Sequence, residues 1–307
     1  MEKKGILTIT ERPDLKKPNM VCGIGGWTDG GKASTGTVAY LRRTLGATRF
    51  AEMDVQRFHV FQLPGENSNR PHIKIEDGLV KVHTPPANEF FYWSNRTSEH
   101  DLVLFLGSEP SLNWWEYAET LLDFATELGV RRIYLPGGVL DQTPHTREPI
   151  VSCYVSDARL KTEMNAYTVQ YSAYEGPGSF GATLTHFAAD RGMELVGLTA
   201  RTTYYPEFNI VLAENARAIL AILKRLRKLL DINLDLSPIE EASRDLEGKL
   251  NFMIGQNAKL RAYVAELEKN YVERRYQEPL DITAGEAVEI AEEFLRKEDE
   301  MGKGKQG

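Results

Sequence analysis

Cysteine is scarce in this chain: its 307 residues include two, Cys22 and Cys153. Each lies within an apolar, strand-like run, which predicts buried thiols rather than a disulfide or a redox pair. The lack of a disulfide framework indicates a reducing compartment. The two cysteines and six histidines have no metal-ligand spacing, so we expect no metal site and no cofactor.

Long apolar runs and an excess of positive charge are also missing. No stretch is long enough to cross a bilayer, and the opening Met-Glu-Lys-Lys-Gly leads into no apolar segment of the secretory type. The formal net charge of −7 disfavours a nucleic acid or an anionic membrane as partner. We therefore expect a cytoplasmic protein that binds neither.

The chain does contain a regular alternation of apolar strand-like runs and helical patterns, from about residue 18 to residue 230. The predicted strands are 19–25, 50–61, 102–107, 131–136, 150–155, 168–174 and 194–199, and the predicted helices are 32–45, 111–128, 157–166, 179–191 and 208–230. This alternation predicts βαβ units, and hence an α/β fold with a largely parallel sheet sandwiched by helices.

A separate segment alternates apolar and polar residues. Ile73-Lys74-Ile75 and Val80-Lys81-Val82 flank Glu76-Asp77-Gly78. Because Asp-Gly favours the left-handed geometry of tight turns, the segment predicts a β-hairpin.

Beyond Asp231 the chain is rich in Glu, Lys, Arg and Ala and has almost no strand pattern. Apolar residues recur there in steps of four and three, with Asn257 at one of the repeat positions, which predicts one long amphipathic helix over 238–275. The apolar seam consists of Leu246, Leu250, Met253, Leu260, Val264 and Leu267. Two interpretations stay open: the helix packs on its own domain, or it forms an arm that contacts another subunit.

The composition divides the chain into three parts. We expect an α/β domain over residues 1–235 and a C-terminal helical arm over 236–300, whose last helix spans 283–297. A short tail, 301–307, is expected to be disordered.

The segment Gly-Trp-Thr-Asp-Gly-Gly-Lys-Ala-Ser, residues 26–34, resembles a phosphate-binding P-loop but departs from it. The position after Lys32 should hold a Ser or Thr that binds magnesium, and Ala33 has no hydroxyl. Asp29 would place negative charge beside the phosphates. We therefore expect a strand–turn–helix junction rather than an ATP-hydrolysing loop.

Other unusual loops follow the predicted strands. In an open α/β sheet, ligands bind beyond the carboxyl ends of the strands. Glycines, acids and aromatic residues in these loops predict a polar pocket with a stacking wall. The candidate pocket residues are Gly25, Trp27, Asp29, Gly107, Glu109, Gly138, Asp141, His145, Glu175, Ser179, Arg201 and Tyr204.

Each of these residues also has a structural interpretation. Asp141 and His145 could act as a base and its orienting group, or His145 could be an ordinary loop histidine. Ser179 opens a predicted helix and is expected to be its N-cap, since the nucleophile-elbow spacing is missing. Glu109 and Glu175 could form a carboxylate pair. No catalytic residue is assigned.

Five motifs in order resemble the family named after the second proteasome assembly chaperone. They are Gly25-Gly26-Trp27-Thr28-Asp29, Leu104-Phe105-Leu106-Gly107-Ser108-Glu109-Pro110, Ile133-Tyr134-Leu135-Pro136-Gly137-Gly138, Tyr174-Glu175-Gly176-Pro177-Gly178-Ser179 and the stretch 199–205. With Leu267-Glu268-Lys269-Asn270-Tyr271 in the helical arm, the chain is most similar to the bacterial branch with a C-terminal helical extension.

The resemblance implies an α/β sandwich like that of nucleoside phosphorylases and hydrolases, without established catalytic residues. It also implies binding to proteins, and a homo-oligomer with a trimer favoured. Archaeal relatives that dock on the proteasome use a C-terminal hydrophobic–tyrosine–any tail, whereas this sequence ends Lys305-Gln306-Gly307. We therefore expect no docking by that route.

Two functional hypotheses remain from the sequence. The first is an oligomeric, chaperone-like, protein-binding protein without catalytic activity. The second is an enzyme or a binder of a small polar ligand, of nucleoside or sugar type, at the strand ends. An ATP-grasp ligase is disfavoured because no paired magnesium-binding carboxylates lie on the strands.

Overall fold

The structure is a computed structural model that describes residues 2–61, 70–96 and 98–279. Its strands are β1 (Glu2–Lys4), β2 (Leu7–Ile9), β3 (Asn19–Gly25), β4 (Thr48–Met53), β5 (His72–Glu76), β6 (Leu79–Thr84), β7 (Asn88–Trp93), β8 (Leu102–Ser108), β9 (Arg132–Asp141), β10 (Val151–Val155), β11 (Gln170–Tyr171) and β12 (Glu194–Thr203). Its helices are α1 (Thr35–Leu45), α2 (Trp114–Glu127), α3 (Leu160–Met164), α4 (Phe180–Asp190), α5 (Ala216–Leu229), α6 (Ser237–Gly255) and α7 (Ala258–Asn270).

Ten strands form one sheet in the order β1-β2-β4-β7-β8-β3-β9-β12-β10-β11. The four central strands, β8, β3, β9 and β12, are parallel. The strands β7, β4, β2 and β1 continue the sheet antiparallel on one side, and β10 pairs antiparallel with β12 on the other. The predicted α/β class with a parallel centre is confirmed.

Helices cover both faces of the sheet because its central strands are apolar on both faces. On one face Val21 and Leu198 pack with α1 and α5, through residues such as Ile222. On the other face Cys22 and Phe105 pack with α2 and α4. Cys22 and Cys153 are both buried and free, as predicted. No helix in the described ranges is long and apolar enough to cross a membrane.

Several predicted boundaries are wrong. The strand predicted over 50–61 ends at Met53, and the one predicted over 168–174 is reduced to β11. The helix predicted from residue 208 begins at Ala216, because Asn215 is its N-cap: the side chain accepts hydrogen bonds from the backbone N–H groups of Arg217 and Ala218. The strands β1, β2 and β7 were not predicted.

The predicted hairpin is confirmed as a separate two-stranded sheet of β5 and β6. Asp77 and Gly78 both have positive φ, +52° and +75°, as the turn requires. The hairpin leaves the main sheet after β4 and returns at β7.

The single long helix predicted over 238–275 is wrong. It is interrupted between α6 and α7, where Asn257 caps α7 by accepting hydrogen bonds from the N–H groups of Lys259 and Leu260. Asn257, which the periodicity placed in the apolar seam, is therefore the N-cap of a new helix. The predicted helix over 283–297 and the predicted tail lie outside the described residues.

Candidate functional site at the carboxyl edge of the sheet

The four parallel strands end at one edge of the sheet, which we call the carboxyl edge. Register pairs Gly25 with Ser108 across β3 and β8, and Asp141 with Thr203 across β9 and β12. The loops that follow these strands therefore lie side by side. Of the candidate pocket residues, Trp27, Asp29, Glu109, His145 and Tyr204 lie in these loops, and Gly25, Gly107, Gly138, Asp141 and Arg201 lie within the strands themselves. That they form one pocket stays a prediction.

Asp29 lies in the turn before α1, whose N-cap residue is Ser34, and supplies the side-chain acceptor at the start of that helix. Its carboxylate accepts hydrogen bonds from the N–H groups of Ser34 and Thr35, at 2.8 and 3.0 Å, and from the Thr35 hydroxyl at 2.6 Å. Burial raises the pKa of Asp29, and the Thr35 and Ser34 hydrogen bonds oppose that rise. The carboxylate occupies the helix N-terminal donors that a P-loop would offer to phosphate.

The rest of the P-loop-like segment also differs from a phosphate cradle. Gly31 and Lys32 have positive φ, +61° and +52°, and Lys32 points to an exposed ion pair with Glu214 at 3.7 Å. The Gly31 carbonyl accepts a hydrogen bond from the Asn215 N–H at 2.7 Å. This turn thus joins the starts of α1 and α5.

Glu109 connects the loop after β3 to the start of α4. Its carboxylate accepts hydrogen bonds from the Trp27 N–H at 2.9 Å and from the Phe180 N–H at 2.7 Å. Its own N–H donates to the Gly25 carbonyl at 2.6 Å. Ser179 is the N-cap of α4, as predicted, and accepts from the Ala182 N–H. Glu109 therefore fixes two loops that carry exposed aromatic residues.

Two glycines allow the loop after β3 to lie directly on β9. The Gly138 N–H donates to the Thr28 carbonyl at 2.7 Å. A Cβ added to Gly30 would lie 3.0 Å from the Gly138 carbonyl oxygen. A Cβ on Gly107 would meet the Asn88 side chain, whose oxygen accepts from the Ser108 N–H. These positions need glycine for close packing.

Asp141 and Arg201 form a partly exposed ion pair at 3.5 Å. Arg201 also donates to the Ser152 hydroxyl, and the Tyr204 N–H donates to the Asp141 carbonyl. Tyr204 itself is exposed. The pair fixes the far ends of β9 and β12.

His145 is a buried structural histidine and makes no contact with Asp141. Its Nδ1 lies 2.9 Å from the Tyr205 hydroxyl, and its Nε2 lies 3.1 Å from the Asn251 side-chain oxygen. Because an amide oxygen only accepts, Nε2 carries the proton and Nδ1 accepts from Tyr205. Burial lowers the pKa of His145, and the Asn251 hydrogen bond partly opposes this. The histidine thus fastens α6 to the loop after β9.

Glu175 is exposed, and the strand that precedes it does not end at the carboxyl edge. The preceding strand, β11, is parallel to β10 and so runs opposite to the central strands. The Glu109 carboxylate is instead bound by two backbone N–H groups, those of Trp27 and Phe180, so a carboxylate pair with Glu175 has no support from these contacts.

The described cavities lie away from the candidate pocket residues. One of about 240 Å³ is lined by residues such as Arg12, Phe124 and Glu127, and one of about 170 Å³ lies beside Arg217 and Ser243. Within the described ranges there is also no group of three or more His, Cys, Asp or Glu side chains placed to hold a metal ion.

The carboxyl edge does expose large apolar side chains. Trp27 is 59% exposed and Trp115 is 65% exposed, and Leu112 is exposed between them in the chain. Leu140, near the end of β9, and Tyr204 and Ile210, in the loop after β12, are also exposed. We call Trp27, Leu112 and Trp115 the tryptophan surface. An aromatic surface that remains in solvent is typical of a site that binds another protein.

Similarity to known proteins agrees with this geometry. Residues 23–254 match the PAC2 family. A solved PAC2 family protein from Streptomyces avermitilis is 32% identical, with a TM-score of 0.69, over 81% of this chain and 99% of its own. The chain belongs to the PAC2 family.

Two further solved structures are similar to this PAC2 chain. A proteasome-assembly chaperone homologue from Mycobacterium tuberculosis is 26% identical, with a TM-score of 0.69, over 80% of this chain and 99% of its own. An archaeal proteasome activator from Pyrococcus furiosus shares the fold at 23% identity and a TM-score of 0.62, over 80% and 97%. No functionally curated protein matches the chain.

The apolar seam of this PAC2 chain packs on its own sheet domain. Leu246, Leu250, Val264 and Leu267 are buried with Tyr205 and Leu212, Leu260 packs against them, and Met253 is half-buried. One compact unit spans residues 1–277, and a domain boundary at residue 235 stays a prediction. An intersubunit role for the seam stays a prediction, and its buried positions already have partners in their own chain.

Sequence reasoning missed four residues that organise this edge: Asn88, Tyr205, Asn215 and Asn251. Asn88 and Asn215 bind backbone groups beside β8 and α5, and Tyr205 and Asn251 bind His145. Asn215 had a usable signal, because an Asn before the apolar helix 216–229 is a common N-cap.

Proposed function

We propose that this PAC2 protein is a chaperone-like protein that binds other proteins and self-associates. The observation that carries the proposal is the tryptophan surface at an edge whose acids and histidine are already hydrogen-bonded within the chain. Such an edge is suited to binding an apolar protein surface. Few of the polar side chains at this edge remain available to hydrogen-bond a small ligand.

The tryptophan surface has the features of a binding hot spot. Trp27 follows Gly26, which has φ +143°, and the Glu109 carboxylate fixes its backbone. Trp115 is the second residue of α2, and its ring meets the Phe187 ring edge-on with centroids 6.5 Å apart. Because the Trp27 backbone and the Trp115 ring are held before binding, less conformational entropy is lost when a partner covers these residues.

The similar proteins suggest the class of partner. The Mycobacterium tuberculosis relative is described as a proteasome-assembly chaperone homologue and the Pyrococcus furiosus one as a proteasome activator. We infer that unassembled subunits of a proteasome-like particle, which expose apolar interfaces, are the partners of this chain. We further propose that it is a homo-oligomer, with three subunits favoured.

Co-sedimentation of the full chain with purified α and β subunits of a 20S proteasome core tests the proposal. We expect the wild type to sediment with unassembled subunits, and Trp27→Ser with Trp115→Ser to weaken binding at least about 10-fold, since each buried Trp contributes about 2 kcal/mol. Phe252→Ser with Tyr263→Ser, which changes two exposed aromatics on α6 and α7, is the matched control.

Equal binding by the two double variants would contradict the role of the tryptophan surface. The absence of any binding to either subunit would contradict the choice of partner. The second hypothesis, a small polar ligand at the strand ends, has no specific observation in its favour, because Asp29, Glu109 and His145 serve as caps and structural contacts.

A further inference from the structure

The β5–β6 hairpin stands apart from the rest of the described fold. It forms its own two-stranded sheet, and every residue of both strands is exposed. An isolated two-stranded hairpin is marginally stable in water unless something packs on one face. Within the described residues, no surface of the single subunit covers either strand of the hairpin.

One face of the hairpin is apolar. Register pairs Ile75 with Val80 and Ile73 with His83, so these side chains share a face. Ile73, Ile75 and Val80 are 49–63% exposed. The other face contains the Lys74–Glu76 ion pair at 2.6 Å. The exposed apolar face is the side that a partner would cover.

The hairpin segment has a small excess of positive charge, whereas the whole chain has a net charge of −7. Lys74 pairs with Glu76, and the other charged residues over 70–84 are Arg70, Lys81 and Asp77. The loop after β12, residues 204–214, contains Glu207 and Glu214 and no Lys or Arg. Because Glu214 already pairs with Lys32, Glu207 is the acid in this loop that complements the hairpin. That loop exposes Tyr204 and Ile210, and Ile210 is 93% exposed. We call it the β12-loop patch.

The two surfaces lie at different places along the same edge. The hairpin is rooted at β7, and the β12-loop patch follows β12, with β8, β3 and β9 between them. At the usual spacing between strands, their roots are about 19 Å apart. Both surfaces remain exposed within one chain. A contact between two different patches on separate copies is head-to-tail, and repeated contacts of this kind form a ring when the rotation between copies closes and a filament when it does not.

We propose that the hairpin of one copy docks its apolar face on the β12-loop patch of a second copy of this chain. This contact rests on the self-association proposed above and identifies the surfaces that make it. It leaves the tryptophan surface, which lies between them along the sheet, free for another protein.

Light scattering on the purified full chain tests the contact. We expect Ile75→Lys with Val80→Lys to raise the subunit dissociation constant at least about 100-fold, because the apolar contact is removed and two strongly hydrated charges would have to be buried in the interface. His72→Lys with Thr84→Lys adds the same charge to the opposite face of the hairpin and should leave the mass unchanged. Circular dichroism of each variant checks that the domain remains folded.

Engineered cysteines give a second, independent readout. Both native cysteines are buried, so Val80→Cys in one tagged copy and Ile210→Cys in another provide the reactive thiols. Under mild oxidation we expect a disulfide that links the two differently tagged copies. Asp190→Cys, at the far end of α4, replaces Ile210→Cys in the control and should give none.

The outcomes separate this contact from the proposed function. A wild type that remains at the 34.6 kDa mass of one chain up to high micromolar concentration would overturn self-association and the contact with it. An oligomer that keeps its mass in Ile75→Lys with Val80→Lys, or that forms no mixed disulfide, would overturn only the hairpin contact.

Discussion

Replacement of Leu250 by Ala tests whether α6 and α7 are part of the fold of a single subunit. Leu250 has no exposed surface and packs with Tyr205, Leu212 and Val264. A buried Leu-to-Ala change removes apolar contact and leaves a cavity, which costs about 3 kcal/mol, within a range of about 2–5 kcal/mol. We therefore expect the free energy of unfolding to fall by that amount.

Urea unfolding followed by circular dichroism measures this change, and hydrogen exchange should show faster exchange in α6 and α7. Phe252→Ala is the matched control: it lies two residues away on the same helix and is 70% exposed, so its effect should stay within about 0.5 kcal/mol. A Leu250→Ala variant that keeps wild-type stability but loses oligomer mass would refute the intramolecular packing and support an intersubunit seam.

Three further changes test the contacts at the carboxyl edge. Asp29→Ala should lower the free energy of unfolding by about 1–2 kcal/mol through loss of the side-chain acceptor at the start of α1, as thermal or urea unfolding would show. Glu109→Ala should cost about 2 kcal/mol, because it removes the shared acceptor of two backbone N–H groups; wild-type stability would argue against that connection. The lowered pKa of His145 means that the folded state binds its proton more weakly than the unfolded state, where the pKa is about 6.5. The contribution of neutral His145 to the free energy of unfolding should therefore be complete above about pH 6.5 and should decrease as the pH falls below that value. His145→Gln should lose this part of the pH dependence between pH 7.5 and 5.

The centre of the fold could be predicted because its strands are continuous apolar runs. Strands β3 and β8 are buried along most of their length, so apart from Asn19 and Ser108 their sequences contain only apolar residues and glycine. The antiparallel strands were harder to predict: β1 and β2 have three residues each, and their pairing with β4 depends on contacts distant in the sequence. β7, with the aromatic run Phe90 to Trp93, had a usable signal.

The break between α6 and α7 shows where periodicity misleads. A seam with steps of four and three continues through Asn257, yet this side chain binds two backbone N–H groups at a new helix start. Both interpretations place a polar residue at the same position, and periodicity alone does not separate them. Gly255, two residues earlier, was the available sign of a helix end.

The candidate site was predicted in position but not in role. Asp29, Glu109 and Ser179 lie at the carboxyl edge, where catalytic residues of α/β proteins also lie. A carboxylate between a strand and a helix can cap the helix or act as a catalytic acid. Its hydrogen-bond partners in the fold distinguish the two roles. The partners of His145 are 60 and 106 residues away in the chain, a distance over which no local pattern operates.

The central claim is that the exposed apolar edge of this PAC2 protein binds protein. The most direct test is the sedimentation of the full chain with unassembled 20S core subunits, alone and as the Trp27→Ser with Trp115→Ser variant. The account predicts a complex with the wild type that weakens at least about 10-fold in the variant, while the Phe252→Ser with Tyr263→Ser control still binds. Equal binding by all three proteins would contradict it.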